Sequence, residues 1–310
     1  MIVTLGETMA LLTPRDRLLA GTDLRLGIGG AESNVAIGLA RLGVDATWIS
    51  RVGDDDLGTA VIREIRAEGV RVLAERDPHA PTGLMIKEMR HGRPSRVRYY
   101  RAGSAASQLT PAFVDTVATE IEAAQVLHLT GITPALGPEP RAAVARAVEI
   151  AHTAGTAVSF DVNHRRTLWP DAQARDVLTE LLRSVDLLFA GPEEAALLGA
   201  HGDPGTTIRK LADLGPATVV LKLGERGALG LAGDHLVHAP TDAVDVVDAV
   251  GAGDAFVAGY LAAQVDGAGL AGRLALGNQL GGAVCRMPGD WEGLPTRADL
   301  DLAPTADVVR

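Results

Sequence analysis

Short apolar runs typical of strands alternate with amphipathic runs typical of helices along most of the 310 residues, and this alternation constrains the fold most strongly. In one such helix, Val35, Leu39 and Leu42 follow helical spacing and Gly43 supplies a stop directly after them. Alternating strands and helices form parallel sheets with helices on both faces. The sequence therefore predicts one three-layer α/β domain over residues 1–310, with a mainly parallel central sheet.

One region has strands with no helix after them. Gly83–Met89 and Arg96–Arg101 have the pattern of a β-hairpin whose turn spans residues 90–95. A lone hairpin inserted in a βα series indicates a small sheet that projects from the main domain. The sequence predicts that its strands are inserted at about 11–28 and 83–101.

Composition excludes several classes of protein. With a net charge of −10, the chain lacks the basic face that a nucleic-acid binder needs. The single cysteine, Cys285, excludes an internal disulfide framework and a multi-cysteine metal site. No apolar run reaches the length of a membrane span, and Met1 leads directly into a strand-like run with no signal-type leader. We therefore expect a cytoplasmic protein without membrane or nucleic-acid partners.

The glycine-rich stretch at residues 248–259 is the strongest candidate for chemistry. It is predicted to leave a strand at Val244–Val247, turn through Gly251 and Gly253, and enter an apolar helix at Asp254. Glycines allow several N–H groups to face one concavity, and a helix start adds a partial positive charge, so the loop suits an anion such as phosphate. Asp254 is either the N-cap of the helix or a base held beside a phosphoryl group. The loop alone leaves both interpretations open.

Several common motifs are absent from the sequence. No Gly-Lys dipeptide occurs, which excludes a Walker A loop, and Phe256 stands where a dinucleotide-binding fingerprint needs Gly or Ala. There is no Gly-x-Ser-x-Gly elbow and no His-Glu-x-x-His zinc pair, which disfavours a hydrolase triad and a zinc enzyme. A phosphate would have to be held by backbone N–H groups.

Other polar loops follow predicted strands, where open parallel sheets bind ligands. Gly30 opens a helix whose first turn holds Asn34; this is either a tight connection or a close backbone approach to a polar substrate. Residues 161–166 crowd polar and charged side chains into one loop, which is either salt-bridged or part of a site, and the density favours a site. Residues 222–227 form another glycine-bearing loop, compatible with a nucleotide passing close to the backbone.

Two motifs carry a family resemblance: Gly-Gly-Ala-x-x-Asn at 29–34 and Asp-x-x-Gly-Ala-Gly-Asp-Ala-Phe at 248–256. They look like the defining motifs of ribokinase-like (PfkB) carbohydrate kinases, and the order of elements matches over essentially the whole chain. The resemblance implies a ribokinase-like α/β/α domain with the small β-sheet as a lid. It implies that Asp254 takes the proton from the attacking sugar hydroxyl. It also implies an anion hole for the transferred phosphoryl group, formed by Gly251, Ala252 and Gly253.

Segments at 99–105, 129–136, 161–165 and 289–295 are similar to the 2-keto-3-deoxygluconate kinases of this family. Carried over by position, the similarity implies substrate contacts from Gly30, Asn34, Met85, Tyr99, Arg101, Ile132 and Arg165. A tyrosine is expected where Met85 stands, so one hydroxyl contact is lost. The guanidinium groups of Arg101 and Arg165 suit the carboxylate of a sugar acid, and a neutral sugar has no such need for them. For Arg165 the sequence leaves two roles open, the substrate carboxylate or the phosphoryl group.

The resemblance implies ATP and Mg²⁺ as cofactors. The nucleotide is expected against Lys222, Gly224, Gly227 and Asn278, together with Gly251 and Gly253. Mg²⁺ is expected beside Asn163 and Glu194, mostly through water. Gly191 stands where family members commonly have an asparagine, which weakens the metal argument. A monovalent cation such as K⁺ near Asp248 is a further expectation of the resemblance.

The residues and the resemblance together predict an ATP-dependent kinase that phosphorylates 2-keto-3-deoxygluconate at its terminal C6 hydroxyl. A neutral-sugar kinase of the fructokinase or ribokinase type is the alternative within the family. A non-catalytic nucleotide or sugar sensor is the alternative from another class, motivated by Gly191. The lid is expected to exclude water from the site and to join two or more copies into a homo-oligomer through its exposed face.

Overall fold

A computed structural model describes residues 1–90 and 93–301 of the chain. They fold into a nine-stranded sheet with helices on both faces and a separate four-stranded sheet. The α/β fold with a mainly parallel central sheet and a small additional sheet is thereby confirmed. Within the described ranges, no helix is both long enough and apolar enough to cross a membrane.

The first strand of the chain lies inside the large sheet, and later strands lie on both sides of it. Its strands are β1 Ile2–Leu5, β4 Ala46–Gly53, β5 Arg71–Asp77, β8 Val126–Thr130, β9 Ala157–Asp161, β10 Leu187–Ala190, β11 Thr218–Lys222, β12 Ala228–Ala232 and β13 His235–Ala239. Their spatial order is β13-β12-β11-β10-β9-β8-β1-β4-β5, parallel throughout except at β11/β12 and β12/β13. The strand order therefore reverses between β1 and β8. Open α/β sheets bind ligands beyond the carboxyl ends of the strands at such a reversal.

Helices cover both faces of this sheet because successive strand residues point to opposite sides. Ile2 belongs to one hydrophobic core, whereas Val3 and Leu5 belong to the other. The first core is covered by α1 Ala31–Arg41, α2 Asp56–Ala67, α10 Ala252–Val265 and α11 Leu270–Val284. The second is covered by α3 Pro111–Thr116, α4 Ala118–Glu122, α5 Ile132–Ala135, α6 Pro138–Ala154, α7 Asp171–Leu182, α8 Pro192–Leu197 and α9 Pro204–Ala212. The last described helix is α12 Arg297–Asp301.

The small sheet has the strand order β3-β2-β6-β7. Its strands are β2 Met9–Pro14, β3 Leu24–Gly29, β6 Leu84–Arg90 and β7 Arg93–Tyr100. One face buries Met9, Leu11 and Met85 in a small cluster of its own. The opposite face exposes Leu26 and Tyr100. Within the predicted turn at 90–95, residues 91–92 lie outside the described part of the chain.

The structure corrects the element predictions in two places. Val244–Val247 was predicted as a strand but forms none; instead Val247 N donates to Cys285 O at 2.8 Å, and the side chain of Val247 is exposed. This apolar run pairs with none of the described strands of the sheet, although β13 has a free edge. The second place is β5, which was not predicted because its charged residues hide the apolar alternation. Charged residues are typical of a sheet edge, where β5 lies.

Candidate active site

The carboxyl ends of β1, β8, β9, β10 and β11 meet at one edge of the large sheet. A cavity of about 590 Å³ lies at this edge and is lined by residues of both sheets. The predicted substrate residues that line it are Gly30, Asn34, Met85, Tyr99, Arg101, Ile132 and Arg165. It is also lined by Gly251, Gly253, Asp254, Asn163, Glu194 and Lys222. The fold thus brings together residues that the sequence places more than two hundred positions apart.

Asp254 is the third residue of α10, and the N-cap of that helix is Gly251. The helix has no side-chain cap, which excludes the interpretation of Asp254 as an N-cap. The first helical backbone bond runs from Ala255 N to Gly251 O at 2.8 Å. The N–H groups of Gly253 and Asp254 precede that bond. They are the donors that a helix start offers to an anion.

The two glycines of the loop serve different purposes. Gly251 has a φ of +79°, a left-handed conformation that disfavours other residues, and a Cβ there would collide with the carbonyl group of Asp290. Gly253 has ordinary helical geometry, and a Cβ there would meet only the Nζ atom of Lys222, at 3.4 Å. Gly251 therefore shapes the loop, while Gly253 leaves the backbone open to a ligand.

Asp254 is buried, and its direct partners are neutral amides. Asn34 Nδ2 donates to Asp254 Oδ2 at 2.8 Å, and Asn163 Nδ2 donates to Oδ1 at 3.5 Å. Burial raises the pKa of Asp254 to about 7, although the Asn34 hydrogen bond and the positive charges of Arg165 and Lys222 oppose this rise. A carboxyl group with a pKa near neutrality is well matched to general base catalysis.

Lys222 directs its side chain into the cavity. Its Nζ lies 2.6 Å and 2.8 Å from the two carboxylate oxygens of Asp161, which ends β9. Burial lowers the pKa of Lys222, but the attraction of Asp161 and Glu194 outweighs it, so the pKa is raised and the amine stays protonated. The sequence analysis favoured a site for the loop at residues 161–166 but gave Asp161 no role of its own, and it expected Lys222 beside a nucleotide rather than beside Asp161. Asp161 ends a buried strand, and this position in the sequence already indicated a residue of the site.

Arg101 is held by an acidic residue that the sequence analysis missed. Glu7 lies just beyond β1 and forms a buried ion pair with Arg101 through the Nε and Nη2 atoms of the guanidinium. Ser104 Oγ donates to the other oxygen of Glu7 at 2.5 Å. The guanidinium also lies 5.9 Å from the centre of the Tyr99 ring. Arg101 is therefore a rigid hydrogen-bond donor whose charge Glu7 largely neutralises.

Arg165 differs from Arg101 because it is exposed and has no salt bridge among the described residues. It still lines the cavity, and its positive charge lowers the pKa of Asp254. It is therefore close enough to act electrostatically on the groups around that carboxyl. Its guanidinium is available for an anionic ligand.

The residues predicted for Mg²⁺ lie beside Asp254. Asn163 has a φ of +36°, a conformation that is rare outside glycine and that aims its amide at the Asp254 carboxyl. Glu194 accepts from His164 N at 3.0 Å and from Gly191 N at 2.6 Å. In the described ranges, no three acidic or histidine residues cluster to chelate an ion. These oxygen donors fit a Mg²⁺ held mainly by phosphates and water.

The residues predicted to hold the nucleotide base differ in how open they are to a ligand. Gly224 has a φ of +62° and faces open space, whereas Gly227 packs directly against the backbone of Ala239 and Pro240. Asn278 Nδ2 donates to the carbonyl oxygens of these same two residues, at 2.9 and 3.1 Å. The Asn278 amide is thus engaged by the chain itself. Asn278 does not line the cavity described above.

Asp248 has an unexpected partner on the small sheet. Lys87 Nζ lies 2.9 Å from Asp248 Oδ2 and 3.1 Å from Asp290 Oδ1, and all three side chains are buried. Neither Lys87 nor Asp290 was predicted as a site residue. The sequence did carry a sign of this role. Lys87 shares the buried face of its strand with Met85 and Met89, and a buried lysine needs a charged partner.

A buried carboxyl group and the backbone N–H groups of a helix start lie side by side, an arrangement that suits a kinase acting on a small alcohol. The model of the pfkB family carbohydrate kinases matches residues 1–297. A 2-dehydro-3-deoxygluconokinase of Bacillus subtilis is 39% identical over 96% of this chain and 93% of its own length. A 2-dehydro-3-deoxygalactonokinase of Haloferax volcanii is 38% identical over 89% and 88%.

A crystal structure of a PfkB protein from Polaromonas superposes with a TM-score of 0.87 at 34% identity, covering 97% of this chain and 99% of that one. The chain therefore belongs to the pfkB family of carbohydrate kinases. It is a phosphotransferase with an alcohol group as acceptor.

Proposed function

We propose that this chain transfers the γ-phosphoryl group of ATP to the terminal C6 hydroxyl of 2-keto-3-deoxygluconate. The observation that carries the proposal is the Asp254 carboxyl, which is buried in the cavity, held by amides and raised in pKa to about 7. It lies at the helix start that suits a phosphate. The names of the two relatives, a gluconate and a galactonate kinase of the 2-dehydro-3-deoxy series, support a sugar acid as the acceptor.

In the proposed mechanism Asp254 takes the proton of the C6 hydroxyl as its oxygen attacks the γ-phosphorus. The N–H groups of Gly253 and Asp254 stabilise the charge on the transferring phosphoryl group, whereas Ala252 N already donates to Ala249 O at 3.4 Å. Asn34 has a buried Oδ1 with no hydrogen-bond partner in the described part of the chain, while its Nδ2 holds Asp254. A hydroxyl of the sugar satisfies that acceptor and is aligned with the base.

The positively charged side chains assigned to the substrates lie at two ends of the cavity. Lys222 lies beside Gly253, and Arg165 acts electrostatically on Asp254, so both serve the phosphoryl end. Asn163 and Glu194 would hold Mg²⁺ by way of water, and the ion would supply positive charge to the ATP phosphates. Lys222 adds a charge that does not depend on metal binding.

The opposite end of the sugar acid is assigned to Arg101 and Tyr99, near the small sheet. The contacts of Arg101 with Glu7 use Nε and Nη2, which leaves Nη1 for the substrate carboxylate. Because Glu7 neutralises much of this charge, Arg101 recognises the carboxylate by directional hydrogen bonds more than by net attraction. Tyr99 closes the cavity from β7.

The small sheet is proposed to act as a lid and as the contact between two copies of the chain. Strand register places Leu26 opposite Leu12 and Tyr100 opposite Leu84, all on the face that points away from the cavity. Leu26 and Tyr100 are 47% and 61% exposed. Leu26→Glu should lower the mass in multi-angle light scattering to that of one 32.2 kDa chain. Leu236→Glu, on the edge strand β13, is the control; a wild-type protein that runs as a monomer contradicts the proposal.

An ADP-release assay tests the proposed reaction with 2-keto-3-deoxygluconate, its galactonate epimer, fructose and ribose. We expect kcat/KM for the sugar acids to exceed that for the neutral sugars by at least about 100-fold, since a carboxylate site left empty loses its binding energy. A preference for fructose or ribose would instead establish a neutral-sugar kinase. ATP binding without ADP release for any sugar would establish a sensor.

A further inference from the structure

Lys87 places the only positive charge of a buried three-residue cluster between two carboxylates. Its Nζ lies 2.9 Å from Asp248 Oδ2 and 3.1 Å from Asp290 Oδ1, and none of the three residues is more than 7% exposed. The cluster joins β6 of the small sheet to Asp248, at the start of the glycine-rich loop, and to Asp290, whose backbone packs against Gly251. A buried ion pair is costly to form and rarely improves stability over apolar packing, so this cluster invites a functional explanation.

Three of the four carboxylate oxygens of Asp248 and Asp290 already accept hydrogen bonds. Asp248 Oδ2 accepts from Lys87, and Asp248 Oδ1 accepts from Val250 N at 3.2 Å. Asp290 Oδ1 also accepts from Lys87. A monovalent cation at this place would lie beside the ammonium group in a buried environment, where like charges repel strongly. The residues present therefore do not fit the K⁺ site that the family resemblance led us to expect.

The cluster is connected to the anion-binding loop on both sides. Asp248 holds Val250, the residue before Gly251, through its carboxylate. The backbone carbonyl of Asp290 lies so close to Gly251 that no side chain fits between them. A cation that fixes both aspartates therefore also fixes the backbone of Gly251, whose left-handed conformation sets the direction of the helix start.

We propose that the Lys87 ammonium is a tethered replacement for a monovalent cation, which positions the Gly251–Gly253 loop and makes phosphoryl transfer independent of K⁺. Lys87 is a positioning residue in this proposal, since it acts through Asp248 and Asp290. The proposal rests on the kinase function of the same site. It also gives the lid strand β6 a direct link to the loop that binds the phosphoryl group.

The carboxyl group of Asp290 is buried beside the Lys87 ammonium. Burial raises the pKa of Asp290, and the attraction of Lys87 only partly offsets this rise. Asp248 Oδ2 is the nearer of the two carboxylate oxygens to the Lys87 ammonium, at 2.9 Å against 3.1 Å for Asp290 Oδ1.

The first test uses the wild-type enzyme, in KCl and in tetramethylammonium chloride at equal ionic strength. We expect kcat to agree within about twofold, because the required charge is built into the chain. Activation by K⁺ of about fivefold or more would overturn the proposal. A complete lack of ADP release in both salts would instead contradict the proposed function.

The second test is Lys87→Met, which removes the ammonium and keeps the length of the side chain. We expect kcat to fall by about tenfold or more, and K⁺ but not tetramethylammonium to restore part of it. In the absence of ATP, K⁺ should also raise the melting temperature of this variant and leave the wild type unchanged, because an ion that binds the folded state stabilises it. Lys210→Met removes a lysine from the surface and should show neither effect.

A variant with fewer unpaired charges guards against misfolding. Lys87→Met combined with Asp290→Asn removes one charge of each sign and leaves Asp248 as the only carboxylate. K⁺ should stabilise this double variant as well. If K⁺ changes neither the melting temperature nor the turnover of either variant, the cluster is only structural and the tethered-cation proposal is wrong.

Discussion

Asn34 Nδ2 donates a hydrogen bond of 2.8 Å to Oδ2 of Asp254, joining the first turn of α1 to the first turn of α10 across 220 residues of sequence. The amide holds the carboxylate in place without the strong stabilisation that an ion pair would give. Burial consequently dominates, and the pKa of Asp254 rises to about 7. The pair therefore provides a positioned carboxyl group that changes charge near neutral pH.

Asp254→Asn should lower turnover by on the order of 10²–10⁴-fold, because the amide accepts no proton from the sugar hydroxyl. ATP binding should remain near normal, since the backbone donors of the loop are unchanged. ADP release and calorimetric titration with ATP measure the two effects. Near-wild-type turnover would remove Asp254 from its assigned role.

The pH profile of kcat/KM should rise with pH through about 7, because only the deprotonated form of Asp254 accepts a proton. Arg165 lowers the pKa of Asp254, so Arg165→Ala should move the rising limb to higher pH. Arg166→Ala, which removes an exposed arginine that does not line this cavity, is the control. Identical shifts in both variants would contradict a specific interaction with Arg165.

Folding stability should also depend on Asp254. Its pKa is about 7 in the folded chain and about 4 in an unfolded one, so the folded state binds the extra proton between these values. The free energy of unfolding therefore falls as pH rises through that window, by about 4 kcal/mol at most. Asp254→Asn lacks this titration and should be more stable than wild type at pH 8. Urea unfolding at pH 5 and pH 8 measures the difference, and equal slopes for both proteins would refute it.

Gly251→Ala and Gly253→Ala should fail in different ways. At Gly251 the methyl group meets the Asp290 carbonyl in a left-handed conformation, which should cost about 2 kcal/mol or more of unfolding free energy. At Gly253 the methyl group meets only Lys222 Nζ, so the melting temperature should change little while turnover falls. Thermal unfolding and ADP release separate the two outcomes. A stable Gly251→Ala enzyme would show that the loop tolerates another shape.

Arg101→Met should destabilise the protein by about 3–5 kcal/mol, because it leaves the Glu7 carboxylate buried without its cation. The double variant with Glu7→Gln should recover part of this loss. Both enzymes should bind the sugar acid more weakly, so only the stability measurements distinguish the ion pair from the substrate contact. Additive losses in a double-mutant cycle would mean that the two residues are uncoupled.

The alternation of strands and helices was sufficient to predict the α/β fold, because periodicity is written locally in each segment. Prediction failed where an element depends on its neighbours. Val244–Val247 has the composition of a strand but finds no partner in the sheet, and β5 has the composition of a charged loop but pairs with β4. Hydrogen bonding between strands is a property of the assembled sheet.

The sequence alone indicated the glycine-rich loop as the candidate anion site, since Gly251 records a backbone requirement that is local to the loop. Whether Asp254 caps its helix or faces the cavity was decided by the tertiary structure, through contacts with Asn34 and Asn163.

The charge partners of the site also appear only in the folded chain. Arg101 meets Glu7 across 94 residues, and Lys87 meets Asp248 across 161. Spacing along the chain carries no sign of such pairs, because the packing of the small sheet on the large one determines which charges are buried together. The residue types in the sequence thus indicated the kind of chemistry. The pKa of Asp254 and the pairing of the buried charges are set by the burial that the tertiary structure imposes.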